Sequence, residues 1–147
     1  MIFPTLKSLL GNDRRGNGVK NYLLDTHTIL WWFTDSDELS PRARDAIADE
    51  GAEIFLSAAS AWEVSTKTRL GKLRHLPMAV RNYPILAARN GFRELSVQAN
   101  HGLLAGALKD QHRDPFDRML AAQSILESMT VITRDRAIAS LGAKTLW

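Results

Sequence analysis

"EIFLSAASAWEVSTKTRLGKL", residues 53–73, changes its periodicity part-way. "EIFLS" is a short run of large and β-branched apolar residues, the pattern of a buried strand. From Ala58 onward the residues suit a helix, with Gly71 near its end. The same succession recurs on both sides. Upstream, "VKNYLLD" (19–25) reads as a strand and "TILWWFTD" (28–35) as a helical segment. "SPRARDAIADEG" (40–51) then reads as a helix capped by Ser40, with Pro41 at its first position and Gly51 at its end. Downstream, "MAVRNYPILAARNG" (78–91) predicts a helix bent or interrupted at Pro84, and "FRELS" (92–96) a third strand. "VQANHGLLAGALKDQ" (97–111) keeps helical spacing, and "HRDPFDRMLAAQ" (112–123) opens another helix. "TVIT" (130–133) is a strand, "DRAIASLG" (135–142) a short helix and "AKTLW" (143–147) a last strand. Alternating β and α elements imply an α/β fold with a mostly parallel sheet covered by helices on both faces.

Composition narrows the chemistry. The chain has 147 residues, 45% apolar and 24% charged, which suits one globular domain. It contains no cysteine, so disulfides, thiolate metal sites and thiol nucleophiles are excluded. Any metal must be held by oxygen or imidazole. The formal net charge of +3 leans only slightly toward an anionic partner and does not decide function. No run reaches the roughly 20 apolar residues of a membrane span. Pro4 and Lys7 break the apolar start, against a secretory signal, so a cytoplasmic location is expected. Residues 1–18 end in "GNDRRGNG", too polar to join a core, and are expected to form a flexible leader before a domain spanning 19–147.

In open α/β sheets ligands bind beyond the carboxyl ends of the strands, and several acids fall there. Asp25 closes "YLLD", Asp135 follows "TVIT" by one residue, and Glu63 lies early in the helix after "EIFLS". Asp117 sits in the first turn of the helix opened by Asp114 and Pro115. Each has a structural alternative. Asp114 and Asp135 suit helix caps, and Asp117 could reach back to its cap. Ser60 and Glu63 match a capping box, Glu63 could pair with Lys67, and Asp25 could bond to Thr26 or His27. Capping does not, however, require a carboxylate after nearly every strand at one rim. At about 4 Å, two like charges cost on the order of 4 kcal/mol at an effective dielectric of 20, so such a gathering calls for a cation or raised pKa values. Carboxylate oxygens with room for water suit Mg²⁺ or Mn²⁺.

"YLLDTHTILWW", "SAASAWEVSTKTRLGKL", "HRDPFDRMLAAQ" and "VITRD", in this order and spacing, resemble the PIN-domain family, specifically the VapC-like toxins of bacterial type II toxin–antitoxin systems. The resemblance runs from about residue 19 to the C-terminus. It implies a three-layer α/β/α sandwich with a short, mostly parallel central sheet. Its acidic pocket would bind Mg²⁺ or Mn²⁺ and hydrolyse RNA with metal-activated water, leaving 5′-phosphate and 3′-hydroxyl ends. It implies Asp25, Glu63, Asp117 and Asp135 as catalytic metal ligands, with Asp114 a further ligand or only a cap. Thr26 and Thr133, beside two of the acids, are expected to orient carboxylates or water. It also implies homodimerisation and an antitoxin partner whose tail covers the pocket. One departure is the leader, because such proteins usually start at the first strand. Val19, where a methionine would be expected, suggests an upstream start or an added leader.

Lys67, Arg69, Lys72, Arg118, Arg134 and Arg136 are candidate phosphate contacts, with plain surface solvation as the alternative. Trp31, Trp32 and Trp62 could stack bases, but their helical spacing among apolar neighbours favours core packing. The four histidines show no zinc spacing and receive no role. Two rivals remain: a metal-dependent phosphohydrolase of small esters, and a non-catalytic RNA-binding or regulatory module whose acids are structural.

Overall fold

A computed structural model describes residues 18–147; the leader expected over 1–18 lies, apart from Gly18, outside the described residues. The elements run β1 (Lys20–Leu24), α1 (Thr26–Phe33), α2 (Pro41–Ala48), β2 (Ala52–Ser57), α3 (Ala58–Arg69), α4 (Ala79–Arg89) and β3 (Arg93–Leu95). They continue with α5 (Ala99–Ala107), α6 (Pro115–Glu127), β4 (Thr130–Ile132), α7 (Arg136–Ser140) and β5 (Thr145–Leu146). The strands form one sheet in the order β3-β2-β1-β4-β5, and every pairing is parallel.

Because parallel strands need crossovers, the helices cover both faces. On one face Leu24, Ile54, Leu56 and Ile132 of the strands pack with Ile29, Leu39, Ala43 and Ile47 of α1 and α2 and the loop between them. On the other, Leu23 and Val131 pack with Leu120 and Ala121 of α6 and Ile138 of α7. Leu23 and Leu24 are both fully buried, one toward each layer, which is why β1 reads as a continuous apolar run. The result is the α/β/α sandwich.

The helix ends obey their sequence signals. Ser40 accepts from the Ala43 amide, and Pro41 is the first residue of α2. Gly71 takes φ +73° just after α3, a conformation that strains residues with a side chain. Pro84, expected to bend or interrupt its helix, lies inside an α4 that runs on without interruption. It removes one amide donor from a helix with no fully buried residue, so water can reach the carbonyl that loses its partner. Among the described residues, no helix is long and apolar enough to cross a membrane.

The strand order creates a switch point. The chain leaves β1 toward β2 on one side and leaves β4 toward β5 on the other, so a crevice opens between the carboxyl ends of β1 and β4. The Asp25 amide donates to the Ile132 carbonyl, and the Thr28 hydroxyl donates to the same oxygen at 2.8 Å, fixing α1 to the end of β4.

Candidate active site

Asp25, at the head of α1, is buried and makes no side-chain cap bond to its own helix. Its Oδ2 instead accepts from the Thr133 hydroxyl at 2.8 Å, and Thr133 Oγ1 accepts from the Asp135 amide at 2.9 Å. Thr133 thereby couples the first and last acids across the crevice. Asp135 caps α7 by accepting from the Ala137 amide through Oδ1.

Glu63 approaches from α3. The capping-box alternative does not hold, because Ser57 is the cap, accepting from the Ala59 amide, and Ser60 lies inside the helix. Glu63 is only 3% exposed. Lys67, one turn on, pairs with its Oε2, while its Oε1 is buried with no hydrogen-bond partner. A carboxylate oxygen left in that state costs free energy unless something positive meets it.

Asp117 comes from α6. It does not reach back to its cap; its Oδ2 accepts from His112 Nε2 at 2.8 Å. Asp114 Oδ1 caps α6 instead, accepting from the amides of Phe116 and Asp117.

The acids influence one another. Burial pushes the Asp25 carboxyl above its ordinary range and the charges of Glu63 and Asp135 add to this, while Thr133 and His27 pull the other way. Burial, then the charges of Asp114, Asp25 and Asp135, hold Asp117 up at about 6 against the opposing His112 bond. That same bond raises His112. Thr133, His112 and Lys67 each occupy an oxygen, and among the described residues no three acidic or imidazole side chains stand as a ready-made cation cage. The donor chemistry nonetheless fits a hard divalent cation: buried carboxylates that repel one another and an orphaned Glu63 oxygen.

Other expected residues are placed differently. The Thr26 hydroxyl donates to Ser60 Oγ at 3.0 Å, so Thr26 braces α1 against α3 rather than orienting a carboxylate by its own hydrogen bond. Arg118 is turned inward. Its guanidinium donates to the carbonyls of Ala105, Gly106, Leu108, Asp110 and His112, which uses all five N–H groups. It ties down the loop that carries His112 and has no donor left for phosphate. Arg134 pairs with Glu38 and lies 4.4 Å over the Trp31 ring. Trp31 and Trp32 pack against the core, but Trp62 is 62% exposed and meets Phe116 edge-on at 4.8 Å, correcting the core role expected for it. His101 is fully buried. Its Nδ1 accepts from the Gln98 amide, so Nε2 carries the proton that bonds Glu127, and the residue is structural.

Beside Asp25 and Asp135 lies an open cavity of about 390 Å³, lined also by His27, Trp31, Arg134 and Arg136. A larger one of about 430 Å³, between α4 and the β2–β3 edge, is mostly apolar and touches none of the four acids.

The sequence matches the family model described as "PIN domain" over residues 22–144. The chain belongs to the PIN domain family. Among curated proteins it is similar to "Ribonuclease VapC22" of Mycobacterium tuberculosis (strain ATCC 25618 / H37Rv), at 27% identity over 123 residues. That alignment covers 80% of this chain and 89% of the relative. Among solved structures it resembles VapBC2 from Rickettsia felis bound to a DNA fragment from their promoter, with TM-score 0.63 and 14% identity, covering 86% of this chain and 98% of that one. It also resembles FitAcB from Neisseria gonorrhoeae, with TM-score 0.53 and 19% identity, covering 86% and 96%. At these identities the structures speak for the PIN fold, whose parallel five-stranded sheet is the one found here.

Proposed function

We propose that this PIN domain is a divalent-metal-dependent endoribonuclease acting as the toxin of a type II toxin–antitoxin pair. The observation that carries the reading is a buried Glu63 oxygen left unpartnered, within reach of Asp25 at the sheet's switch point, where burial and neighbouring acids raise both Asp25 and Asp117. The similarity to a ribonuclease and to toxin–antitoxin structures supports it.

Asp25, Asp117, Glu63 and Asp135 would hold Mg²⁺ or Mn²⁺, and Asp114 remains the cap of α6. When bound, such a cation supplies Lewis acidity toward water and toward phosphate oxygens. The chain's own groups do the rest. Thr133 orients Asp25, and His112 orients Asp117 from a loop that Arg118 holds in place. Lys67 neutralises Glu63 in the free protein and becomes available to phosphate once that charge is met otherwise. Lys67 and Arg69 are the basic residues assigned to the RNA backbone, and Arg134, beside Asp25 and Asp135, is assigned to the RNA as well; Arg118 leaves that set.

The partners in this reading are RNA, an antitoxin and a second copy of the chain, with residues 1–18 outside the working domain. Expression in a bacterial host tests the toxin reading. Growth should arrest with the natural chain and continue with Asp25→Asn at equal expression. Equal growth with both would overturn it in favour of a non-catalytic module.

A further inference from the structure

The cavity between the starts of α1 and α7 shares Asp25 and Asp135 with the acid cluster, so whatever fills it lies against the reacting groups. Its remaining lining is His27, Trp31, Arg134 and Arg136. Arg134 is positioned there by two independent contacts: its guanidinium pairs with Glu38 and sits 4.4 Å from the Trp31 ring centre. Trp31 is itself braced, edge-on by Trp147 at 5.8 Å and by the His27 ring at 5.6 Å. A guanidinium fixed over an aromatic ring loses less freedom on binding than a solvated one and offers a stacking surface.

We propose that this cavity is a subsite for one unpaired nucleotide adjacent to the scissile phosphate, its base stacking on the Trp31–Arg134 unit and its phosphate meeting Arg136 and His27. The inference rests on the ribonuclease reading and names the residues that would seat the nucleotide. The lining selects this chemistry. A bare phosphate would leave the Trp31–Arg134 face unused, and an apolar ligand would strip water from Arg136 and Asp135 without compensation. A nucleotide offers a π face and an anion at once. At about 390 Å³ the cavity is near the lower end of ligand pockets, room for one base and its sugar. A base inside a duplex is already stacked and cannot enter.

The test uses the Asp117→Asn protein in Mg²⁺ with a labelled single-stranded oligoribonucleotide and its duplex, read by fluorescence anisotropy. Adding Arg134→Lys keeps the charge and removes the planar stack. It should raise Kd for the single strand roughly tenfold and leave duplex binding unchanged. Trp31→Leu should do the same, while Lys144→Ala, just before β5 at the opposite rim of the sheet, should change neither. Unchanged single-strand binding in Arg134→Lys, or equal losses for both RNAs, would overturn the subsite. Turnover by the unsubstituted acids separates the two claims. Cavity-dependent binding without cleavage would remove the ribonuclease reading alone, and cleavage with KM unaltered by Arg134→Lys would remove the subsite alone.

Discussion

Replacing Asp117 by Asn should make the metal-free protein more stable at neutral pH, although it removes a residue the proposed chemistry needs. Asp117 is 9% exposed, and its surroundings raise its carboxyl from 3.8 to about 6. At about 1.4 kcal/mol per pKa unit, ionising it in the fold costs roughly 3 kcal/mol relative to the unfolded chain. The sign follows from the direction of the shift. Below pH 3.8 both states are protonated and the cost is absent; it grows as pH rises toward about 6 and is constant above. Asn keeps the shape and can still bond His112 without the charge. Its melting temperature in EDTA near pH 7 should therefore exceed that of the natural protein by roughly 5–10 °C. Near pH 3.5 the gap should shrink to a degree or two. Scanning calorimetry across that range is the assay. A destabilised variant at neutral pH, or a gap independent of pH, would refute the electrostatic account of the acid cluster.

Thr133→Val removes the hydroxyl that orients Asp25, and should weaken Mn²⁺ binding by 10- to 100-fold in titration calorimetry with the fold intact. Arg118→Met leaves five carbonyls without their shared donor. It should cost about 3 kcal/mol in urea unfolding and speed amide exchange over residues 108–114. Trp62→Ala should fold normally with a stability change under about 1 kcal/mol, because its side chain is mostly in solvent.

The fold was legible because its signals are local. The change of period at Ala58, Ser40 before Pro41 and the apolar run of β1 each follow from backbone geometry and burial, and these three elements lie where the sequence places them, while the first helix starts two residues earlier than read, at Thr26. Part of the acid rim was legible for a related reason, since Asp25 and Asp135 follow the carboxyl ends of parallel strands, where the crevice opens. Long-range partners were not. Nothing near Thr26 says that its hydroxyl meets Ser60, 34 residues away, or that Thr133 reaches Asp25 across 108. Arg118 looked like a surface cation because its partners are backbone carbonyls, which carry no residue signature. His112 was present in the quoted motif, but its bond to Asp117 depends on the loop that Arg118 ties down. Trp62 misled by composition, since an apolar residue among apolar neighbours is ordinarily buried, and α3 turns this one outward.

The central claim is that the four acids act together with a divalent cation to cut RNA. Its most direct test is incubation of the purified protein with total bacterial RNA in Mg²⁺ or Mn²⁺, beside EDTA and Asp117→Asn controls, with new 5′ ends mapped. Discrete ends that carry a 5′-phosphate and vanish in both controls are the predicted result. RNA left intact by folded protein in saturating metal, or cut equally well by Asp117→Asn, would contradict the account.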